Sequence, residues 1–458
     1  MMKHYDITIV GGGPSGIALA LMLEKTGKKI LLTEREKTLG GCWRVEWQNE
    51  KYYTEHSPHI MTSNYKKFIQ LCKYLKVNNE FINTYKYKSS LRSVYLDKNV
   101  LGSLQFSDLI KIFSGLVMSR FIENKQTVEE FSDHISEAGK RTMYILSVAA
   151  ASTPDKVMMQ DLFDIMIEYP PDIIQMSDPE LWLNAAQEYF DKSDNVDVRL
   201  NTEIKHIHNT EKGFHINDTI HTDEVILALP PIALKNLLEN SSNDLQNNWL
   251  PYQDFKQWAN ESSYNSIGFQ LHFDHDVEYK EEWCWSCIGD WNIIILPMSK
   301  YLKTFTKDPT IKTVWSCTII DQNKFSSRLK KRVYECTVDE IEDEVKHQLN
   351  IPKNTYTTFY DGLQKPKEQF ESKDTGFVRQ KYGVIPYTGK LNNIHIVSTV
   401  NQKGIITMEK AIESAYEFVK LNYAGYQDIF NEKHKYPIYV LIVLILLVVV
   451  LYKYYKSR

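Results

Sequence analysis

The first strand signal of the chain runs directly into a glycine-rich turn, in residues 5–16, which read YDITIVGGGPSG. The apolar run predicts a β-strand, and residues 17–28 after the turn have helical character. A second apolar run, residues 30–33, ends at the acid Glu34. A strand, a G-x-G-x-x-G turn, a helix, a strand and an acid in this order form the fingerprint of a dinucleotide-binding βαβ unit.

Each residue of this fingerprint has its own physical role. Gly11 allows the tight turn, Gly13 lets the backbone approach a pyrophosphate, and Gly16 lets the helix lie close to the strand. The helix N-terminus offers free N–H groups to the phosphates, and Glu34 can accept hydrogen bonds from ribose hydroxyls. The predicted cofactor contacts of this unit are Gly11, Gly13, Ser15, Gly16, Glu34 and Arg35.

A second glycine pair follows soon after the acid, in residues 39–44, which read LGGCWR. A plain NAD site has no such pair, whereas a flavoprotein chain returns past the cofactor at this point and needs residues without side chains. We therefore predict cofactor contacts at Gly40, Gly41, Cys42 and Trp43. The same residues are also typical of an ordinary Leu-Gly-Gly turn, and this alternative stays open.

Composition excludes several classes of protein. The chain has 458 residues, 43% of them hydrophobic and 24% charged, which is typical of a globular protein with about three domains' worth of core. A formal net charge of −4 and the lack of a basic stripe make nucleic acid an unexpected partner. Six cysteines do not form a disulfide framework, and the C-x-x-C of Cys284 and Cys287 has no second pair at zinc spacing. We predict no metal site and no signal peptide.

The carboxyl-terminal residues 436–452 carry no charge and are flanked by basic residues. This length is close to the lower limit of about 17 residues for a membrane-spanning helix. The stretch predicts a transmembrane tail anchor, which would place the catalytic part on the cytosolic side of a membrane.

Four sequence blocks in this order resemble the FAD-dependent amine oxidase superfamily, which also contains carotenoid desaturases and protoporphyrinogen oxidases. The blocks are residues 10–16 with Glu34, residues 39–43, residues 198–204 followed by 223–231, and residues 407–415. They span nearly the whole chain before the predicted anchor.

The resemblance implies FAD as the cofactor and adds contacts late in the chain. Ile204 would contact the adenine through its backbone, and Thr399 would donate to the ribityl or phosphate groups. Met408, in the helix that begins at Thr407, would present its N–H to the flavin pyrimidine ring, and Thr407 is a predicted cofactor contact as well. A helix N-terminus at that edge favours the reduced, negatively charged flavin.

The chain also departs from this family at three positions. Amine-oxidising members usually carry a lysine near the flavin N5, where this sequence places Gly268 and has no lysine nearby. Ser398 and Thr399 replace a glycine–acid pair, and Cys42 stands where arginine is frequent. The missing lysine weakens the expectation that the substrate is an amine.

Together these features predict an α/β fold: a Rossmann-like FAD-binding domain with an inserted α+β substrate domain and a C-terminal transmembrane helix. The predicted boundaries are 1–90, 191–240 and 391–425 for the FAD-binding parts, 91–190 for a helical substrate region, 241–390 for a substrate-domain sheet, 426–435 for a linker and 436–452 for the anchor.

The leading functional hypothesis is an FAD-dependent oxidoreductase that removes hydride from a small molecule. The predicted anchor favours a hydrophobic, lipid-like substrate, and dioxygen or another acceptor would reoxidise the flavin. His56 and His59 could line the flavin pocket, but the sequence does not identify the catalytic residues. One alternative is a redox-neutral sugar-nucleotide mutase, because residues 56–60 are similar to a loop beneath the flavin in those enzymes. Another is a degenerate flavoprotein that serves as a membrane-tethered interaction module.

Overall fold

The computed structural model of the chain describes residues 3–59, 61–83, 104–149, 153–168, 173–264, 267–277, 290–300, 302–359, 363–364, 371–372, 376–377, 384–402, 406–423, 425–426 and 428–430. Its strands are β1 (Lys3–Val10), β2 (Ile30–Thr33), β3 (Val45–Gln48), β4 (Tyr52–Glu55), β5 (Met61–Thr62), β6 (Phe81–Asn83), β7 (Ile173–Met176), β8 (Val196–Arg199), β9 (Ile207–Thr210), β10 (Gly213–Ile216), β11 (Ile220–Leu227), β12 (Ser263–Tyr264), β13 (Ile267–Phe273), β14 (Ile293–Pro297), β15 (Thr313–Ile319), β16 (Tyr356–Phe359), β17 (Leu363–Gln364), β18 (Glu371–Ser372), β19 (Gly376–Phe377) and β20 (Ile394–Ile396). Its α-helices are α1 (Pro14–Leu23), α2 (Lys66–Tyr74), α3 (Phe106–Met118), α4 (Val128–Ser132), α5 (Glu137–Ala149), α6 (Met159–Glu168), α7 (Leu181–Asp191), α8 (Pro231–Glu239), α9 (Asn243–Gln246), α10 (Tyr252–Ser262), α11 (Val338–Gln348) and α12 (Met408–Asn422).

The central sheet has the strand order β8-β2-β1-β11-β10-β9, and β20 pairs with β11. Strand β1 is parallel to both β2 and β11, while β10 and β9 form an antiparallel extension. The parallel strands are apolar on both faces because the core continues on both sides. Ile7 and Ile9 face the hydrophobic cluster that contains α1 and α12, whereas Val10 and Leu31 face the one that contains α8 and α10.

This sheet is assembled from three distant parts of the chain. The first part supplies β1 and β2, the second supplies β8–β11, and the third supplies β20. Strand β11 connects them, since its last residues pair with β1 on one side and with β20 on the other. Helix α12 then returns to pack against α1 within one hydrophobic cluster.

The residues between these parts form separate layers. Strands β14, β15, β13 and β16 make an antiparallel sheet, in that order, with α11 packed on it through Ile341 and Val345. Helices α3–α6 surround Phe163 in a smaller cluster. The hairpin of β3 and β4 packs against this antiparallel sheet, where the side chain of Gln270 on β13 donates to the Glu55 carbonyl at the end of β4.

The predicted C-terminal transmembrane helix is contradicted. Within the described part of the chain, no helix combines the length and the apolar character that crossing a bilayer requires. The longest described helix, α12, has 15 residues, about 22 Å at 1.5 Å per residue, against a hydrocarbon core about 30 Å thick. Its exposed side also carries charged residues such as Lys420. The prediction of a membrane anchor is therefore wrong, and so is the prediction, inferred from it, that the catalytic part lies on the cytosolic side of a membrane.

Two sequence predictions concern residues that are not described. The apolar stretch 436–452 lies outside the described residues, and so do Cys284 and Cys287.

Candidate cofactor and substrate site

The glycine turn after β1 is held by close backbone contacts. Gly11 has a φ of +107°, and its N–H donates to the Thr33 carbonyl over 2.9 Å. A Cβ added at Gly11 would lie 2.6 Å from the Ala228 oxygen, and one added at Gly16 would lie 1.9 Å from the Gly11 oxygen. Glycine is therefore required at these two positions by the packing of the turn itself.

Gly13 differs from these two glycines because it faces open space. A Cβ added there would meet only the Cα of Gly41, at 4.0 Å. The bond from the Ile17 N–H to the Gly13 carbonyl, 2.9 Å long, is the first of α1, so the N–H groups of Ser15 and Gly16 have no partner within the helix. A helix N-terminus in front of open space is suited to bind a phosphate group.

Helix α12 begins next to this N-terminus. The Ser15 hydroxyl donates to the Ala411 carbonyl over 2.6 Å, so this side chain joins α1 to α12. Thr407 caps α12, since its Oγ1 accepts from the Lys410 N–H at 3.2 Å. Met408 is buried in the cluster that also contains α1. The structure thus brings three of the predicted contacts, from opposite ends of the chain, to adjoining helix starts.

Glu34 lies immediately beyond β2 and is only 7% exposed. Its Oε2 accepts from the Gly12 N–H at 2.8 Å, and its Oε1 accepts from the Glu36 N–H at 3.0 Å. Burial raises the pKa of this carboxyl, and these two hydrogen bonds and the charge of Arg44 partly oppose the increase. The carboxylate is therefore fixed against the glycine turn, where the fingerprint requires it.

The residues around Glu34 connect it to the second part of the chain. The N–H of Thr202 donates to the Glu34 carbonyl over 2.8 Å, which places the segment before Ile204 beside the acid. Ile204 itself is buried in the cluster with β11. Arg35 is partly exposed and pairs with the neighbouring Glu36 at 3.1 Å.

The second glycine pair lies directly against the first turn. The Gly40 N–H donates to the Gly12 carbonyl over 2.8 Å, with a Gly40 φ of +124°. Gly41 has a φ of +56°, and a Cβ there would lie 3.2 Å from the Gly13 Cα. Cys42 and Trp43 complete a short 3₁₀ helix with Gly41. The two glycine motifs thus form one surface without side chains.

Ser398 and Thr399 lie at the same sheet edge. The Val397 N–H donates to the Leu227 carbonyl over 2.9 Å, so β20 ends level with β11. Ser398 then caps a short 3₁₀ helix that starts at Thr399. Ligands of open α/β sheets bind beyond the carboxyl ends of the strands, and Thr399 lies at that edge.

Arg44 was missed by the sequence analysis. Its guanidinium is buried, donates to the Gly41 carbonyl over 3.3 Å and pairs with Glu46 at 3.1 Å. The sequence offered only one signal, a charged residue directly after the glycine pair. The structure places a buried positive charge where the two glycine motifs meet.

A cavity lies beside Trp43, the last residue of the short 3₁₀ helix that contains Gly41. It is lined by Trp43, Tyr53, Glu55, His59, Met61, Phe68, Gln175, Met176, Pro179, Trp182, Met298 and Leu302. The ring centroids of Trp43 and His59 are 4.3 Å apart, and His59 Nδ1 lies 2.8 Å from Glu55 Oε2. The lining is mostly aromatic or apolar, and its polar groups come from β4, from His59 and from Gln175 on β7.

Tyr53 and Glu55 are two residues apart on β4 and therefore share a face. They are 0% and 2% exposed, and neither the Tyr53 hydroxyl nor Glu55 Oε1 has a hydrogen-bond partner among the described residues beyond the contact between Tyr53 and Glu55 themselves. Burial and, less strongly, the charge of Glu55 raise the pKa of Tyr53 well above its usual value. Because a hydroxyl and a carboxylate in contact still have further hydrogen-bonding capacity, the pair is suited to a polar group of a bound molecule.

Gly268, the predicted position of the missing lysine, has no room for a side chain. A Cβ at this position would lie 1.9 Å from the His56 carbonyl oxygen and 3.1 Å from the Glu55 carbonyl oxygen. The backbone after β4 occupies the space that a side chain would need. His56 is buried and contributes its carbonyl to this contact, while only His59 of the two histidines lines the cavity.

The sequence analysis missed most of the cavity. Alternation along residues 52–55 could have indicated the shared face of Tyr53 and Glu55, but no local pattern connects them with Gln175 or Trp182. These residues meet only because β7 and α7 fold against the hairpin region.

Comparisons with known proteins agree with this architecture. Residues 9–75 match the model of the NAD(P)-binding Rossmann-like domain family. Over 180 residues, this chain is 27% identical to UDP-galactopyranose mutase of Mycoplasma genitalium. The aligned part covers 38% of this chain and 40% of the relative. The enzyme of the same name from Mycoplasma pneumoniae is 29% identical over 125 residues, 26% of this chain and 29% of that protein. The chain thus matches at most two fifths of the length of these curated relatives.

Solved structures cover much more of the chain. Putrescine oxidase bound to putrescine has a TM-score of 0.62 at 12% identity, over 92% of this chain and 99% of its own. A putative protoporphyrinogen oxidase from Exiguobacterium has a TM-score of 0.58 at 13% identity, with 92% and 99% covered. Cyclohexylamine oxidase from Brevibacterium oxydans has a TM-score of 0.55 at 13% identity, over 91% of this chain and 99% of its own. The predicted Rossmann-like fold is confirmed, and the chain shares its overall fold with these three oxidases.

Proposed function

We propose that this chain, which has the fold of the FAD-dependent amine oxidase superfamily, is an FAD-dependent oxidoreductase that takes hydride from a small molecule. The observation that carries the proposal is the joined glycine surface. Gly13 and Gly41 leave open space in front of the start of α1, with Glu34 fixed beside it. A loop that served only to connect β1 and α1 would not need a second glycine motif against it.

The residues of this surface fit the adenosine and pyrophosphate portions of FAD. The N–H groups of Ser15 and Gly16 would hold the pyrophosphate, with Arg44 nearby to offset its charge. Glu34 would hold the adenosine ribose, since each of its oxygens accepts one backbone N–H and retains a further lone pair. Ile204, Thr399 and Met408 stay predicted contacts. When bound, the flavin supplies a hydride acceptor.

The cavity supports a substrate with an apolar body and one polar group. Trp43, Phe68 and Trp182 provide flat apolar walls, whereas Glu55 and Tyr53 provide the polar end. The preference for an apolar substrate rests on these walls alone, because the predicted membrane anchor no longer supports it.

Glu55 is suited to receive a proton from the substrate. Oxidation of an alcohol or amine carbon removes a hydride from carbon and a proton from the attached oxygen or nitrogen. Glu55 is a buried acceptor beside the Tyr53 hydroxyl, and its Oε2 is held by His59 at 2.8 Å. A positioned carboxylate of this kind typically contributes 10²–10⁴-fold to a rate as a general base.

The absence of a lysine separates this site from a typical amine oxidase site. At Gly268 the His56 carbonyl leaves no room for any side chain. We therefore favour an alcohol over an amine as the oxidised group, since a neutral hydroxyl can donate to Glu55 and accept from the protonated Tyr53.

A redox-neutral mutase is the second candidate. The match to UDP-galactopyranose mutases supports it, but this match covers 38% of the chain and does not favour it over the oxidoreductase. The sequence also shows no evident cluster of arginines for sugar phosphates. The two functions differ in one measurable property, because only an oxidoreductase consumes an electron acceptor in proportion to the product formed.

The test is single-turnover reduction of the bound flavin. The full chain, loaded with FAD, is mixed without dioxygen with a panel of apolar primary and secondary alcohols and matched amines. We expect an alcohol to bleach the oxidised flavin spectrum with one equivalent of carbonyl product. Failure of every alcohol and amine, combined with isomerisation of a nucleotide sugar by the reduced enzyme, would replace this proposal with the mutase.

A further inference from the structure

A row of histidines crosses an exposed part of the central sheet, formed by β9, β10, β11 and the start of β1, and none of its members belongs to the site described above. Four adjacent strands each place one histidine directly opposite the next. His208 on β9 faces His215 on β10, His215 faces His221 on β11, and His221 faces His4 on β1. Side chains opposite one another point to the same face of a sheet. The neighbours Ile220 and Thr222 of His221 are buried, so the row lies on the outer face.

The side chains of this row already converge. The rings of His4 and His221 stack with centroids 5.0 Å apart, and those of His215 and His221 are 5.3 Å apart. Asp223, two residues after His221 on β11, lies with its Oδ1 2.9 Å from Nε2 of His4. One ligand atom from each of His4, His221 and Asp223 lies within 4.8 Å of the others.

A second, similar set lies at the other end of the row. His206 precedes β9, and its ring centroid is 5.1 Å from that of His208. Asp218, in the turn between β10 and β11, lies 3.2 Å from His206 Nε2. These three residues also have one ligand atom each within 4.8 Å of the others. Five of the 13 histidines of the chain thus belong to this small area.

We propose that His4, His221 and Asp223 bind a divalent transition-metal ion, with Zn²⁺ as the reference ion. Imidazole and carboxylate ligands suit Zn²⁺, Ni²⁺ and Cu²⁺ better than Mg²⁺ or Ca²⁺, which prefer oxygen ligands. Bonds of about 2.0–2.1 Å put tetrahedral ligands roughly 3.4 Å apart, so rotation of exposed side chains closes the remaining distance. Three protein ligands leave the fourth position to water or to a ligand from another molecule.

This set is the stronger of the two because its ligands come from paired strands inside the central sheet. Their backbones are fixed by the pairing of β1 with β11, so little order has to be created on binding. In the second set, Asp218 lies in a turn and has a left-handed φ of 56°. It is a weaker site that depends on His206 and His208.

The test is calorimetric titration of the metal-free full chain with ZnCl₂, repeated with MgCl₂. We expect saturable binding of Zn²⁺ with a tighter and a weaker component, and no saturable heat with Mg²⁺. H221Q should lose the tighter component and keep the weaker one, while H208Q should lose only the weaker one. H134Q, which changes an exposed histidine outside both sets, is the matched control and should bind like the original protein.

Melting temperatures measured in parallel separate loss of binding from loss of folding. Because a metal that binds only the folded state stabilises it, Zn²⁺ should raise the melting temperature of the original chain and of H134Q, and raise it less in H221Q. The proposal is overturned if Zn²⁺ gives no saturable heat, or if a normally folded H221Q binds Zn²⁺ as the original protein does.

Discussion

At the scale of single residues, two glycines of one motif have different roles. Gly16 packs against the backbone of Gly11, where a Cβ would come within 1.9 Å of an oxygen, whereas Gly13 faces only open space and Gly41. Substitution at Gly16 therefore affects folding, and substitution at Gly13 affects what binds in the space. The sequence motif alone could not separate these two roles.

The pair G13A and G16A tests this difference. In G13A we expect the free energy of unfolding of the cofactor-free protein to change by no more than about 1 kcal/mol. Alanine can adopt the Gly13 φ of −74° without strain, and the small loss comes from alanine being a poorer N-cap than glycine. FAD affinity should fall about tenfold or more. In G16A the free energy of unfolding should fall by about 3 kcal/mol, as expected for an overpacked backbone contact. Chemical denaturation measures the free energies of unfolding, and FAD titration measures the affinities. Normal FAD affinity in G13A would show that the cofactor binds elsewhere.

Glu55 provides a second residue-scale prediction. E55Q keeps the size of the side chain but replaces a proton-accepting carboxylate, so flavin reduction by the substrate should slow by about 100-fold or more while FAD stays bound. E50Q, in the exposed turn of the same hairpin, is the matched control and should react at the original rate. Stopped-flow spectra report both quantities. An unchanged rate in E55Q would remove Glu55 from the proposed chemistry.

At the scale of elements, a buried acid joins two helices. Glu409, in the first turn of α12, accepts from the Lys67 and Phe68 N–H groups at 2.8 and 2.9 Å, so it caps the start of α2. Burial raises the pKa of this carboxyl to about 7, although these two hydrogen bonds oppose the change. Lys67 lies close by, with its Nζ 3.7 Å from the centre of the Tyr416 ring.

This raised pKa makes stability depend on pH with a definite sign. Between the usual pKa near 4.5 and the folded-state pKa of about 7, the folded protein binds more protons at Glu409 than the unfolded chain. The contribution of this group is therefore fully present below pH 4.5 and is lost as pH rises towards 7, by about 3 kcal/mol at most. We expect E409Q to remove this decrease, as measured by denaturation between pH 4.5 and 7.5. E413Q, one turn along α12 and half-buried, should keep the decrease, and the same decrease in E409Q would refute the assignment.

The elements also show where local sequence patterns were sufficient. Residues 5–10, 30–33 and 407–421 were predicted as strand, strand and helix, and they correspond to β1, β2 and α12 with its cap. The alternation of apolar and polar residues along 203–208 predicts a strand, but the strand begins only at Ile207. The side chain of Asn217 replaces a strand partner there, since it accepts from the Lys205 N–H and donates to the Glu203 carbonyl. The alternation of apolar and polar residues could not indicate this contact, because Asn217 lies twelve residues further along the chain.

At the scale of the whole molecule, the sheet and the candidate site depend on the third part of the chain. Strand β20 pairs with β11, and α12 is bonded to α1 through Ser15 and to α2 through Glu409. The sequence predicted this return because four motifs occur in family order. It could not predict the cavity, whose residues are scattered from Trp43 to Leu302, nor the histidine row, which exists only through strand register.

A truncation tests this dependence. A chain ending at residue 390 lacks β20 and α12, so we expect it to retain no FAD and to expose the apolar surfaces of α1 and β11. A chain ending at residue 430 keeps every described element and should retain FAD as the full chain does. Cofactor content after gel filtration measures both. FAD retained by the shorter chain would show that the first two parts form the site alone.

The most direct test of the central claim is a crystal structure of the full chain with its bound cofactor. The account predicts FAD with its pyrophosphate within hydrogen-bond distance of the N–H groups of Ser15 and Gly16, and its adenosine ribose bonded to Glu34. A structure in which the space at Gly13 and Gly41 stays closed in the presence of excess FAD, or in which FAD binds elsewhere, would contradict it.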